Sequence, residues 1–356
     1  MSRYSPPRSV HLVGSYPAAT VSEALAVPME QVDSRLRSLA DGEVAERSSW
    51  IAHIVERLRE HPDVTLVTDG DWSSYTDRPV FRVRRGHEFR PESLRLGYAA
   101  QARESYETFR ELRSDRGLHD LDFQVGIPSD LDLAFFLFEP VNAFRHRPVV
   151  RAALAEELRE IHSWNRDDVI FQIECPMELV LAAGTPSPLR PALAALLVNG
   201  ILGQVAAAPQ GSRFGIHLCF GDLNREGLWR ARDTRPAVAL LRRLLRAWPQ
   251  GRTLEYVHAP LGSGDFPALP EARAYLPLRE LRELPRDVRF VAGFAHERQT
   301  LESQQVTLRL VEAALGRRVD VAASCGLGRC TPEQAAANLR RARELADLPP
   351  QPGGGT

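Results

Sequence analysis

The chain has 356 residues, 44% of them hydrophobic and 26% charged, and a formal net charge of -1. That balance is typical of a soluble globular protein and excludes a general electrostatic attraction to nucleic acid or to an anionic membrane. Four cysteines, Cys175, Cys219, Cys325 and Cys330, are too few and too scattered for a disulfide framework, so a reducing cytoplasm is the expected setting.

No apolar stretch of signal-peptide length follows the charged residues at the start of the chain. Beyond it, short β-rich runs alternate with longer segments of helical period. Eight runs can be counted, at 11–15, 64–69, 121–126, 169–174, 214–219, 253–258, 289–294 and 319–324. Helix-period segments such as 48–61, 149–164, 235–248, 301–315 and 332–345 lie between them. Strand and helix alternating eight times predict a single (β/α)8 barrel over residues 1–347, with a disordered tail at 348–356. The rival, a doubly wound open sheet, lacks a Gly-x-Gly-x-x-Gly turn to support it. Long connections before the third run are expected to cap the barrel mouth. The most apolar stretch, 191–209, is broken by Asn199, Gly200, Gly203 and Gln204 and reads as a capped buried helix, so no membrane span is expected. Near the end, Thr331-Pro-Glu-Gln334 combines a hydroxyl N-cap, a proline at the first helical position and a glutamine three residues after the cap. This makes Cys325 the end of the eighth strand.

The strand ends of such a barrel form the face that carries active sites. His217 and Cys219 lie two apart in the fifth run and so project to one side of the strand, while Cys325 brings a second thiol to the end of the eighth. Alone, a His-x-Cys pair in a strand is more often a buried histidine beside a buried thiol. Three soft ligands at two strand ends, in a chain with four cysteines, point to zinc. For a fourth ligand the sixth run offers Glu255 and His258. Alternation puts them on opposite faces, and spacing does not choose between them.

Val13-Gly14-Ser15-Tyr16-Pro17 at the first strand, Gln172-Ile-Glu-Cys-Pro176 at the fourth, His217-Leu-Cys219 at the fifth and Ser324-Cys325-Gly326-Leu327 at the eighth follow one another in a telling order. In these motifs the chain resembles the C-terminal catalytic barrel of cobalamin-independent methionine synthase and its shorter relatives. The resemblance implies a zinc held by His, Cys, Glu and Cys, which binds a substrate thiol, lowers its pKa and presents a thiolate to an alkyl donor. The matching positions are His217, Cys219 and Cys325, with Glu255 or His258 in the glutamate's place. A shorter group in the same superfamily is similar in Asp41-Gly-Glu43, Arg47, Trp50, Gly215 to Asp222 and Tyr256-Val-His258-x-Pro260, which favours His258.

The resemblance further implies substrate-binding roles for Ser15, Asp71, Glu174, Glu43 and Arg47. Against these stand an ordinary turn residue for Asp71 and a plain ion pair for Glu43 with Arg47. For Glu174, an acid ending a buried strand needs a partner. His296, after the seventh strand, is the candidate general acid for a leaving group, with a structural hydrogen-bonder as the alternative. Cys175 reads as a core or neighbouring thiol and Cys330 as non-catalytic. The segments after the second and third strands lack the folate contacts of the methionine synthases, which leaves a corrinoid, an epoxide or another small molecule as donor.

Two protein thiolates largely neutralise a zinc ion, so such a site suits thiolate delivery better than water activation. The expected function is therefore zinc-dependent activation of a small thiol for alkyl or methyl transfer, or the reverse thioether cleavage. The expected partners are the thiol and the alkyl donor, without nucleic acid or membrane, and a homodimer stays open as the assembly. The alternatives are a metal-free decarboxylase or lyase like the uroporphyrinogen decarboxylases, which would need a basic mouth, and a zinc-binding barrel without turnover.

Overall fold

The computed structural model describes residues 7–349 apart from Arg95 and Ala231. Its strands are, in chain order, β1 (Val10–His11), β2 (Ser38–Ala40), β3 (Val64–Thr68), β4 (Val80–Val83), β5 (Asp122–Pro128), β6 (Val169–Cys175), β7 (Arg213–Leu218), β8 (Thr253–Pro260), β9 (Arg289–Gly293) and β10 (Asp320–Ala322). The helices are α1 (Val21–Val32), α2 (Ala52–Arg57), α3 (Tyr98–Asp115), α4 (Asp130–Leu137), α5 (Pro140–Trp164), α6 (Pro176–Gly184), α7 (Arg190–Ala207), α8 (Arg235–Arg246), α9 (Ala272–Tyr275), α10 (Leu301–Leu315) and α11 (Pro332–Ala346).

Eight strands pair in parallel in the order β1, β10, β9, β8, β7, β6, β5, β2. The ring closes at Val10, which pairs with Val321 on one side and bridges to Leu36, just before β2, on the other. This is a (β/α)8 barrel, as the alternation of runs predicts. The principal core lies between strands and outer helices, and a small apolar cluster of Ile170, Tyr256, Val291 and Ala322 accompanies it. Above that cluster the barrel interior turns polar. The Tyr256 hydroxyl donates to Gln124 Oε1 (3.0 Å) and Gln172 Oε1 (3.1 Å), and both glutamine amides donate to the carbonyl of Val13 (2.7 and 2.6 Å). A fully bonded polar layer of this kind fixes one arrangement of the floor under the site.

One strand differs from the sequence expectation. The run at 64–69 is not in the barrel: β3 pairs antiparallel with β4, and Leu66 and Val67 of this hairpin are 39% and 40% exposed. The second barrel strand is β2, whose three residues are too short to stand out as a run. A branched apolar stretch reads as a buried strand whichever sheet it joins. The link between β3 and β4 carries Trp72 and Tyr75 to the barrel mouth, so the expected cap is present.

The helix starts follow from local chemistry. Thr20, Ser129 and Thr300 accept hydrogen bonds from the third residue onward, and Thr331 with Gln334 forms the expected reciprocal capping box. The expected helix at 48–61 shrinks to α2 between two 3-10 turns. By length and composition α7 is apolar enough to cross a membrane, and here it packs as one of the barrel's outer helices. The expected tail lies, from residue 350 on, outside the described residues.

Candidate metal centre and the cavity above it

β7 ends at Leu218, with His217 facing inward and Cys219 one step beyond; Cys325 follows β10. One ligand atom from each of His217, Cys219 and Cys325 lies within 4.8 Å of the other two. The two sulfurs are 3.2 Å apart, and both cysteines are free. Hydrogen bonding to Cys219, then burial, holds the Cys325 thiol protonated well above the ordinary range. A cation is what would release that proton.

The imidazole of His217 is oriented from behind. Its Nδ1 is 2.8 Å from Nδ1 of His258, the residue paired with it across β7 and β8. His258 Nε2 lies 3.0 Å from the Ala323 carbonyl oxygen, which can only accept, and the Leu218 backbone is a second neighbour of the ring; with the proton on Nε2, Nδ1 of the neutral ring is an acceptor. The shared contact then has His217 Nδ1–H donating, which leaves a bare lone pair on Nε2. That nitrogen is buried and has no hydrogen-bond partner among the described residues. Burial pushes His258 down to about 4 and, with the neighbouring imidazoles, holds His217 well below its ordinary value, so both rings are neutral near pH 7. Gly293 makes room for this arrangement: a Cβ there would sit 2.5 Å from His258 Nε2.

An orphaned imidazole lone pair beside two thiols fits zinc, and the set of three leaves a position open. The fourth ligand expected from β8 is not delivered in this geometry. Glu255 faces the opposite side of the strand and accepts from Arg213 Nε at 2.7 Å, while His258 spends both nitrogens on His217 and Ala323. Alternation along β8 is the cause for Glu255; for His258 it is the second hydrogen bond.

Above these three side chains lies a cavity, open to solvent, walled by Trp50, Trp72, Tyr75 and Phe136 and carrying Ser15, Glu43, Glu174, Asp222 and Arg329. Trp72 stacks on Phe136 with ring centroids 6.1 Å apart, and Trp50 meets the same ring edge-on at 5.7 Å. Glu43, Trp50 and Trp72 all have positive φ, at 51°, 57° and 65°. Such strain in bulky residues is held in place by the surrounding fold and gathers at working sites. Trp50 Nε1–H donates to Glu174 Oε2 at 2.6 Å, and Gln172 Nε2 donates to Glu174 Oε1 at 3.2 Å. Burial lifts Glu174 to about 7; burial, then the neighbouring Glu174 and Asp41, lifts Glu43 to about 8. Burial also lifts Asp222 to about 6.

Of the other expected site residues, Ser15, Glu43 and Glu174 meet in this cavity and Asp71, Arg47 and His296 do not line it. Asp71 follows the hairpin strand and is exposed; it caps its own turn by accepting from the Ser73 amide. Arg47 is paired bidentately with Asp41, at 3.1 and 2.7 Å, instead of with Glu43. His296 is buried at the end of β9, where Nδ1 accepts from the Arg298 amide. Its Nε2 is buried without a hydrogen-bond partner among the described residues. Cys175 is a buried core thiol, as expected. The residues that sequence reasoning missed are Trp72, Tyr75, Phe136 and Arg329. Trp72 and Tyr75 stand on the link between β3 and β4, whose path depends on the hairpin, Phe136 stands on α4, and Arg329 carries only one signal, its place four residues after Cys325.

No protein-family model matches the chain, and no curated protein matches it. Among solved structures, a methyltransferase from Methanosarcina mazei shares the fold with a TM-score of 0.51 at 12% identity, covering 96% of this chain and 94% of the other. A Listeria monocytogenes protein provisionally described as a vitamin-B12 independent methionine synthase is similar with a TM-score of 0.49 at 14% identity, over 96% of this chain and 97% of that one. The methyltransferase likeness is one of fold, and it agrees with the barrel described above.

Proposed function

We propose that this protein is a zinc-dependent enzyme that activates a small thiol for alkyl transfer, methyl transfer included, or runs the reverse cleavage of a thioether. The observation that carries the reading is the buried, partnerless Nε2 of His217 in a cluster with two thiols 3.2 Å apart. His217, Cys219 and Cys325 would hold the ion, which supplies the positive charge that keeps a substrate sulfur deprotonated at neutral pH. His258 and the Ala323 carbonyl fix the tautomer that offers His217 Nε2. The aromatic walls give the approach to the sulfur an apolar lining. Glu43, protonated near neutral pH and facing the cavity, is the group placed to give a proton to the leaving atom. Tyr75 holds the loop after Cys219 by accepting from the Leu223 amide at 2.7 Å.

The fold shared with a methyltransferase supports the transfer reading by analogy. A uroporphyrinogen decarboxylase-like reaction would need a basic mouth, whereas the cavity lining carries Arg329 against Glu43, Glu174 and Asp222. Two free thiols in contact suit a reducing compartment such as the cytoplasm. Metal analysis of protein purified without added zinc tests the reading. Close to one zinc per chain is expected, lost in Cys219→Ser and in Cys325→Ser. A folded wild-type protein that purifies without zinc and takes up none on addition would overturn it.

A further inference from the structure

Cys325 and Arg329 reach the cavity on one loop, residues 323–331, which is pinned along its length. Leu327 donates its amide to the Ser15 carbonyl at 2.8 Å, Gly328 donates to Ser15 Oγ at 3.3 Å, and Cys330 donates to Leu327 at 2.8 Å. The contact is close enough to exclude side chains: a Cβ on Gly326 or Gly328 would lie 2.2 or 2.7 Å from Ser15. The capping box of α11 fixes the far end. The loop therefore sets a fixed relation between the backbones of Cys325 and Arg329.

The Arg329 guanidinium has no partner among the described residues. Arg329 is half-buried in the cavity wall and makes no hydrogen bond or ion pair with any described residue. Its neighbour Arg225, by contrast, is bound to Asp265 at 2.6 Å and to Glu297 at 2.8 Å. Glu43, Glu174 and Asp222 all feel the Arg329 charge, yet none comes within ion-pair distance of it. A partly desolvated cation is normally paired. One left open beside a candidate substrate site, on a loop that cannot easily carry it away, is arranged for a ligand's negative charge.

We propose that Arg329 binds the anionic head group, a carboxylate or sulfonate, of the thiol whose sulfur is received at His217, Cys219 and Cys325. The proposal rests on the thiol-activation reading and adds the chemical class of the substrate. A planar guanidinium offers two parallel donors to either oxyanion, and a second fixed point converts a loosely tethered sulfur into an oriented one.

The test is calorimetric binding to the full chain, as purified with its metal, of 3-mercaptopropionate, 2-mercaptoethanesulfonate, 2-mercaptoethanol and cysteamine. The acidic thiols are expected to bind ~10- to 100-fold more tightly than 2-mercaptoethanol, the effect of one charge-assisted contact. Arg329→Gln should abolish that preference while leaving 2-mercaptoethanol binding in place, and Arg329→Lys should restore part of it. Thiol-free propionate and ethanesulfonate should compete with the acidic thiols in the wild type and not in Arg329→Gln, a readout independent of the metal. The relative strength of the two anions tells carboxylate from sulfonate. Equal binding of acidic and neutral thiols, or a preference that survives in Arg329→Gln, would overturn the role of Arg329 and leave thiol activation standing. Failure of every thiol to bind would overturn the thiol-activation reading, and this proposal with it.

Discussion

His258 meets His217 nitrogen to nitrogen, Nδ1 to Nδ1 at 2.8 Å, while its other nitrogen is committed to the Ala323 carbonyl. A histidine that reads as a fourth ligand from its place on β8 thus has both ring nitrogens in hydrogen-bond contacts, one of them with the proposed ligand His217. Groups that orient a metal-binding imidazole commonly account for ~10- to 100-fold in metal affinity. His258→Leu, which removes the acceptor and keeps most of the volume, should weaken zinc binding by about that factor in competition with a chromophoric chelator, and His258→Gln should recover part of it. Wild-type affinity in the leucine variant would reduce His258 to a filler of space.

Asp71 supplies a clean negative control. It lies on the exposed link after β3, and its side chain is occupied by its own turn. Asp71→Ala should change unfolding free energy by less than about 0.5 kcal/mol and leave thiol binding unaltered, as surface substitutions of this kind do. A large rise in thiol Kd would return it to the site.

That residue also marks where the sequence stops being legible. His217, Cys219 and Cys325 could be read as a cluster because period-two alternation and strand ends are local properties, and the structure brings all three together. Asp71 could not be placed, because whether residues 64–68 join the barrel or a hairpin depends on partners far along the chain. β2 is three residues of Ser-Leu-Ala, with no pattern long enough to detect. Alternation did separate Glu255 from His258, but only the bonds made by each ring and carboxylate assign their tasks. Arg329 lies beyond any spacing rule, since what distinguishes it is the lack of a partner among the described residues in three dimensions.

Arg47 is expected to hold the fold rather than the substrate. Its bidentate pair with Asp41 is largely buried, at 14% and 6% side-chain exposure, and Asp41 also accepts from the Glu43 amide at 3.1 Å. Removing one partner leaves the other charge uncompensated, so Arg47→Ala should cost about 3–5 kcal/mol in urea denaturation. The zinc content of the folded fraction should stay at the wild-type level. Unchanged stability together with weakened thiol binding would instead assign Arg47 to the substrate.

Glu43 makes the stability of the protein fall as pH rises. Its carboxyl is lifted from the ordinary 4.5 to about 8, chiefly by burial, and that of Glu174 to about 7. Between those values the folded protein holds protons that the unfolded chain has released. The stabilisation is complete below the ordinary pKa and is lost as pH rises through the folded one. The buried histidines act in the opposite sense, since His11, His217 and His258 stay neutral in the fold while the unfolded chain takes up protons below about pH 6.5. Above about pH 7 their contribution is nearly flat; from about pH 7 to pH 9 the carboxyls act together with the Cys175, Cys325 and Cys330 thiols, held protonated in the fold, so the difference between wild type and Glu43→Gln is what isolates Glu43. Over that window wild-type Tm should decline, and Glu43→Gln, which keeps the shape without the charge, should decline less and be the more stable protein at pH 9. Comparing the two proteins at each pH cancels the pH dependence of metal binding wherever the ligands are unchanged. Parallel Tm curves would mean that Glu43 is already ionised in the folded state and is no reservoir for the leaving group's proton.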